Sequence, residues 1–95
     1  MSSYIIERFE RESKSNFKSH HYVGDSNSGG LPFKTVALAR IAMKSMAELR
    51  RLPNSTALHG PNDIQIEQDN GFGEPQEIIY RICKVNYLSV QTNLD

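Results

Sequence analysis

The most regular hydrophobic pattern in this chain lies between residues 35 and 52, where strong helix formers predominate. Apolar side chains recur there at spacings of three and four residues, at Leu38, Ala42, Met46 and Leu49. Thr35 can cap the first turn through its hydroxyl, and Pro53 ends the pattern. The pattern therefore predicts a helix over 35–52 that packs on a sheet through its Leu38/Met46 side.

Alternating residues, or runs of aromatic and β-branched residues, predict strands before and after this helix. The predicted strands are Tyr4–Phe9, Phe17–Val23, Asp63–Gln68 and Glu77–Tyr87. The charged segment 10–16 is expected to form an exposed turn, and Asn70-Gly71 predicts a tight turn in the second hairpin. The remaining connections, 24–30 and 53–63, are polar and rich in turn residues.

The last predicted strand is apolar on both sides, which is typical of a strand in the middle of a sheet. The expected fold class is α+β: an antiparallel sheet of about four strands in ββαββ order, with one helix on one face. Residues 1–95 are expected to form one domain. The other sheet face, bearing Tyr80 or Tyr87 according to register, is open to a partner or to a second copy.

Composition limits the classes of function. Eleven basic and eleven acidic residues give a net charge of zero, so the whole chain has no general attraction for nucleic acid. A single cysteine, Cys83, fits a reducing compartment. The first residues do not resemble a signal peptide, and no apolar run reaches the ~20 residues of a membrane span. A cytoplasmic location is therefore expected.

The sequence predicts no catalytic, cofactor or metal site. The glycines of segment 24–30 lack the spacing of a phosphate-binding loop. His20 and His21 are adjacent on a predicted strand and point to opposite faces, so they cannot readily hold one metal ion. Cys83 lies among apolar strand residues, where a thiol is a small core side chain rather than a nucleophile. The acidic turn near Asn70 lacks the ligand spacing of a calcium loop.

Charge is distributed unevenly along the chain. Nine basic and five acidic residues precede Leu52, whereas the segment from Leu52 to Tyr80 has five acidic residues and no basic one. On the helix, three cations project in nearly one direction: Arg40, Lys44 and Arg51. The second hairpin carries Glu67, Asp69, Glu74 and Glu77. The sequence thus predicts a basic helix face and an acidic hairpin as candidate partner-binding surfaces.

Either surface has a plausible partner, and the simplest interpretation of both is ordinary solvated charge. An acidic hairpin suits a basic protein surface, including one that normally holds nucleic acid. The basic helix face could instead hold nucleic-acid phosphates in a salt-sensitive, sequence-indifferent way. The zero net charge favours the acidic hairpin slightly. An enzyme is the third and weakest alternative, because no acid–base or nucleophile group is recognisable.

Three short segments suggest a comparison with known proteins. They are Tyr4-Ile-Ile-Glu7, Phe33-Lys-Thr35 at the start of an alanine-rich helix, and Tyr80-Arg-Ile82. In layout the chain resembles short phage and mobile-element proteins, including small anti-CRISPR proteins with one helix on an antiparallel sheet. The resemblance implies a non-enzymatic inhibitor that occupies the surface of a host complex, and it transfers no binding residues.

Overall fold

The computed structural model describes residues 2–12, 17–85 and 90–93. The described elements are β1 (Ser3–Glu12), β2 (Phe17–Val23), a short 3-10 helix (Ser26–Ser28), α1 (Val36–Arg50), β3 (Thr56–His59), β4 (Asp63–Asp69), β5 (Pro75–Val85) and β6 (Val90–Asn93). All neighbouring strands are antiparallel, in the order β2-β1-β5-β4-β3. The expected α+β class, with a helix on an antiparallel sheet, is confirmed.

The predicted ββαββ order of about four strands was incomplete. Strand β3 lies inside the segment predicted as a polar connection, and β6 follows β5 at the end of the chain. Three of the four β3 residues are exposed, so this edge strand shows no alternating apolar signal. Strand β6 pairs with β5 at Cys83 and Val85, beyond the last β4 pair. Strands β3 and β6 are therefore recognised by their pairing with a neighbouring strand.

The first strand is also longer than predicted. Strand β1 continues through Glu12, and Glu10, expected in an exposed turn, is buried against the helix side of the sheet. Pairing with β2 on one edge and β5 on the other extends β1 past its apolar stretch. Residues 13–16 of the predicted turn lie outside the described part of the chain.

Strand β5 lies in the middle of the sheet, as its two apolar sides predicted. Its helix-facing residues are buried, and Tyr80 is among them rather than on the open face. Cys83 is also buried and lies between Ile5 of β1 and the pairing with β6. Tyr87 lies outside the described residues.

The helix begins as predicted but packs through a different face. The Leu38 amide donates to Thr35 Oγ1 at 3.1 Å, which confirms the cap. The buried helix residues are Ala39, Met43 and Ala47, whereas Leu38 is 45% exposed and Leu49 is 86% exposed. The predicted Leu38/Met46 face was therefore wrong by about one residue, or ~100° of rotation. Small alanines face the sheet, which lets the helix approach it closely.

The core lies between α1 and the three middle strands. Its largest fully buried side chains are Ile6, Ile66, Ile78, Tyr80 and Ile82. Ala42 and Met46 pack at the margin of this core. The opposite face of the sheet carries no helix among the described residues, so most side chains of β1, β4 and β5 that point away from α1 are partly or fully exposed, with Cys83 as a buried exception.

Candidate functional site

Two of the three cations on the predicted basic helix face have structural partners. The Arg40 guanidinium donates to the Pro61 carbonyl at 3.0 Å and to Asn62 Oδ1 at 2.8 and 3.1 Å. Arg51 donates to the hydroxyl and the carbonyl of Ser55. The Arg40 bonds connect α1 to the segment that leads into β4, and the Arg51 bonds connect it to the turn that follows the helix. Lys44 remains on the exposed surface.

The structure brings three of the four predicted acidic residues together on the open face of the sheet. Glu67 of β4 lies directly opposite Glu77 of β5, and Asp69 follows on the same face of β4. Glu77 accepts from Arg11 at 2.7 Å and from the Gln65 amide at 2.6 Å. The three carboxylates and Arg11 line a shallow hollow of about 460 Å³. The fourth residue, Glu74, lies half-buried in the turn between the strands.

The backbone of that turn is stabilised by two side chains. Asp69 Oδ1 accepts from the amides of Gly71 and Gly73, at 3.0 and 3.1 Å. Asn70 Oδ1 accepts from the Phe72 amide at 2.8 Å. Both glycines have positive φ, 91° and 77°, a conformation that a side chain would strain. The turn is thus an ordered support for Phe72.

Phe72 is the most prominent residue that the sequence reasoning missed. Its side chain is 92% exposed at the end of the hairpin, the largest exposure among the described large hydrophobic residues. An aromatic ring held in water by an ordered turn is typical of a residue that is buried on binding. The available signal was a lone phenylalanine between two glycines in the turn. We call β4, residues 70–74 and β5 the acidic hairpin.

A second polar cluster lies under the end of α1 and has a structural role. The Arg50 guanidinium donates to the Glu10 carboxylate, which also accepts from Gln76 at 3.1 Å. Gln68 donates to Gln76 at 3.0 Å and accepts from the Leu52 amide at 2.9 Å. The side chain of Gln68 thus satisfies a backbone group just beyond the helix. Because these groups satisfy one another's hydrogen bonds, the cluster stabilises the fold.

Tyr80 is buried beside this cluster. Burial raises the pKa of its phenol, although Arg8 and Arg50 oppose the shift and Arg8 hydrogen-bonds to the hydroxyl. The phenol is therefore a neutral core group at ordinary pH. Its position beneath α1 keeps it away from the open face of the sheet.

The other candidate residues do not assemble into a chemical site. His20 Nε2 lies 2.7 Å from Glu7 Oε2 on the open face, whereas the register places His21 on the helix side. Within residues 2–12, 17–85 and 90–93, no three His, Cys, Asp or Glu side chains come together as a metal site would require. Over the same ranges, no helix has both the length and the apolar character needed to cross a membrane.

Comparisons with protein-family models, with curated proteins and with solved structures gave no match to this chain. A function is therefore inferred from the residues themselves. Among the surfaces described, the acidic hairpin combines an exposed aromatic residue on a hydrogen-bonded turn with a stretch, residues 63–80, whose Asp and Glu residues are accompanied by no Lys or Arg. On the basic helix face, Arg40 and Arg51 already donate hydrogen bonds within the chain, so less of that charge is available to a partner.

Proposed function

We propose that this protein is a non-enzymatic binding protein whose acidic hairpin docks on a basic surface of another protein. The observation that carries the proposal is Phe72, 92% exposed on a turn whose conformation is held by Asp69 and Asn70. The ring would enter an apolar pocket of the partner. The carboxylates of the hairpin would face Lys and Arg residues around that pocket.

The ordered turn supports an anchoring role for Phe72. Because these hydrogen bonds already fix the backbone of the turn, little backbone entropy is lost when Phe72 becomes buried. Aromatic anchors of this kind commonly account for about 2 kcal/mol or more of binding free energy, which corresponds to about 30-fold in affinity. A freely moving loop would lose part of that gain on ordering.

The charge arrangement supports a basic partner. Glu67 and Glu77 are cross-strand neighbours, and like charges in that position destabilise a sheet. Arg11 offsets part of this repulsion through its ion pair with Glu77. A cationic partner surface would offset more, and it would also speed association at low ionic strength. A protein that normally holds nucleic acid has such a surface, so occupying it would give the inhibitor suggested by the sequence layout.

The alternative function, nucleic-acid binding through Arg40, Lys44 and Arg51, has less support. Arg40 and Arg51 already donate to acceptors within the chain. Phosphate contacts would have to compete with these bonds or use Lys44 largely alone. Weak, salt-sensitive attraction is the most that this face would supply.

The proposal is tested by affinity capture from a nuclease-treated lysate of the source organism with three baits: the wild-type chain, Phe72→Ala and Leu31→Ala. Leu31 is a matched control because it is 64% exposed at the opposite end of the strands. We expect one stoichiometric protein to bind the wild type and Leu31→Ala. With that protein purified, Phe72→Ala should weaken binding by about 30-fold.

Charge is tested with the same purified partner. Glu67→Lys should slow association and flatten its dependence on salt, whereas Lys34→Glu, a charge change of the same size and opposite sign on an exposed residue at the other end of the sheet, should do neither. Equal affinities for wild type and Phe72→Ala would overturn the anchoring role. Capture that disappears after nuclease treatment would favour the nucleic-acid alternative instead.

A further inference from the structure

A second exposed surface lies on the outer side of α1 and is independent of the hairpin. The helix packs on the sheet through Ala39, Met43 and Ala47, so an apolar row on its outer side lies in solvent. The row consists of Leu38, 45% exposed, Ile41, 69%, Leu49, 86%, and Leu52, 39%, just beyond the helix. Ser45 lies exposed in the middle of this row. We call these five residues the helix row. Aliphatic side chains clustered along one line mark an interaction surface more often than scattered ones do.

The spacing within the helix row is symmetric about Ser45. Ile41 and Leu49 each lie four residues from it within α1. Leu38 and Leu52 each lie seven residues from it along the chain, although Leu52 follows the extended residue Arg51 and lies outside the helix. Two copies of the helix packed antiparallel about a two-fold axis through Ser45 would therefore place Ile41 against Leu49 of the second copy. The small serine side chains at the axis allow close approach of the two helices. Self-complementarity of this kind is what a two-fold interface requires.

The charges beside the helix row have the same symmetry. Lys44 and Glu48 are exposed on one flank of the row, on the same side of the helix. A two-fold axis perpendicular to antiparallel helices keeps that flank on the same side in both copies. Lys44 of each copy then lies about 3 Å along the axis from Glu48 of the other, within reach of an ion pair. The two Lys44 side chains approach each other at the same axial distance, but two opposite-charge pairs outweigh this one like-charge pair.

We infer that the protein forms a homodimer through antiparallel packing of α1 on α1, centred on Ser45. A second copy is the occupant that fits the symmetric spacing of Ile41 and Leu49 and the net attraction between the Lys44 and Glu48 pairs. The pairing would bury Ile41 and Leu49, whose exposure the single chain leaves unexplained. The dimer interface contains no residue of the acidic hairpin, so its test is independent of the proposed function.

Oxidative cross-linking of single-cysteine variants tests the geometry. In the antiparallel dimer the two Ser45→Cys side chains meet at the axis, where a disulfide can form. Ala37→Cys is the matched control, because Ala37 is exposed on the same helix. It lies eight residues from the axis, so its two copies are about 24 Å apart. The native Cys83 is 2% exposed, and the wild-type chain controls for its contribution.

We expect Ser45→Cys to form a disulfide-linked dimer and Ala37→Cys to remain mostly unlinked. Light scattering of the wild type should give twice the 10.8 kDa mass of the chain, and Leu49→Glu should give the monomer. Glu48→Lys should raise the dimer dissociation constant by about tenfold, and the double variant Lys44→Glu/Glu48→Lys should restore it. A wild type that stays monomeric at its highest soluble concentration would overturn the inference. Equal cross-linking of both cysteine variants would also overturn it.

Discussion

Replacing Arg50 with methionine tests the polar cluster that joins the end of α1 to the sheet. Arg50→Met keeps most of the aliphatic side chain but removes the guanidinium that pairs with Glu10. The Glu10 side chain is 10% exposed, so its carboxylate would lose its cation and gain little water. Its remaining described donor would be the Gln76 amide, at 3.1 Å. The substitution therefore leaves a nearly buried carboxylate with less compensation.

The magnitude follows from the burial of the two partners. Breaking a fully buried ion pair from one side destabilises a protein by about 3–5 kcal/mol. The Arg50 side chain is 40% exposed, so solvent already screens the pair and the expected loss is smaller. A charged hydrogen bond contributes about 1.5–3 kcal/mol, and we expect a loss in that range. For a chain of 95 residues this is a large part of a total stability of about 5–14 kcal/mol.

Urea unfolding followed by circular dichroism measures the loss. Arg50→Met should lower the unfolding free energy by about 1.5–3 kcal/mol with an unchanged m-value, and Lys34→Met, at an exposed position, should change it by less than about 0.5 kcal/mol. Glu10→Gln combined with Arg50→Met should recover more than half of the loss, because a neutral amide can still bond to Gln76. An Arg50→Met variant as stable as the wild type would refute the reasoning.

Three further substitutions test the packing by urea unfolding. Met43→Ala should lower the unfolding free energy by about 2–5 kcal/mol, because Met43 is 3% exposed; a loss below about 1 kcal/mol would contradict the helix orientation. Gly24→Ala should lower it by about 1–3 kcal/mol, since an added Cβ would lie 2.1 Å from the Gly30 carbonyl oxygen; unchanged stability would contradict that close approach. Burial raises the pKa of Tyr80 above 10.0, so the neutral phenol's contribution is complete below about pH 10 and is lost as the pH rises through the folded pKa. Tyr80→Phe should therefore lose less stability than the wild type above about pH 10, and identical alkaline curves would contradict the shift.

The amino-acid sequence by itself determined where most of the regular elements lie. Period-two alternation located β4 and β2, and the three- and four-residue spacing located α1 with its Thr35 cap. The two-sided apolar character of β5 placed it in the middle of the sheet. These features depend on local residue order, which is why they could be predicted without a structure. The acidic character of the second hairpin was visible for the same reason.

The short strands and the orientation of the helix were decided by tertiary structure. Strands β3 and β6 have four residues each and depend on neighbouring strands for their hydrogen bonds. Two neighbouring faces of α1 are both apolar, so periodicity could not choose between them. The helix packs through the face of Ala39 and Ala47, whose small side chains let it approach the sheet closely, and this leaves Leu49 in solvent.

Some features of the candidate site could likewise be predicted from the sequence, and others were decided only by the tertiary structure. The sequence predicted Glu67, Asp69 and Glu77 as a group because they follow one another along a hairpin. It could not predict that Arg40 and Arg51 donate to Asn62 and Ser55, since those bonds depend on how α1 lies on the sheet. Nor could it predict the exposure of Phe72, because burial depends on whether any other part of the chain reaches a residue. Local order determines which elements form, and only their packing decides which side chains remain available to a partner.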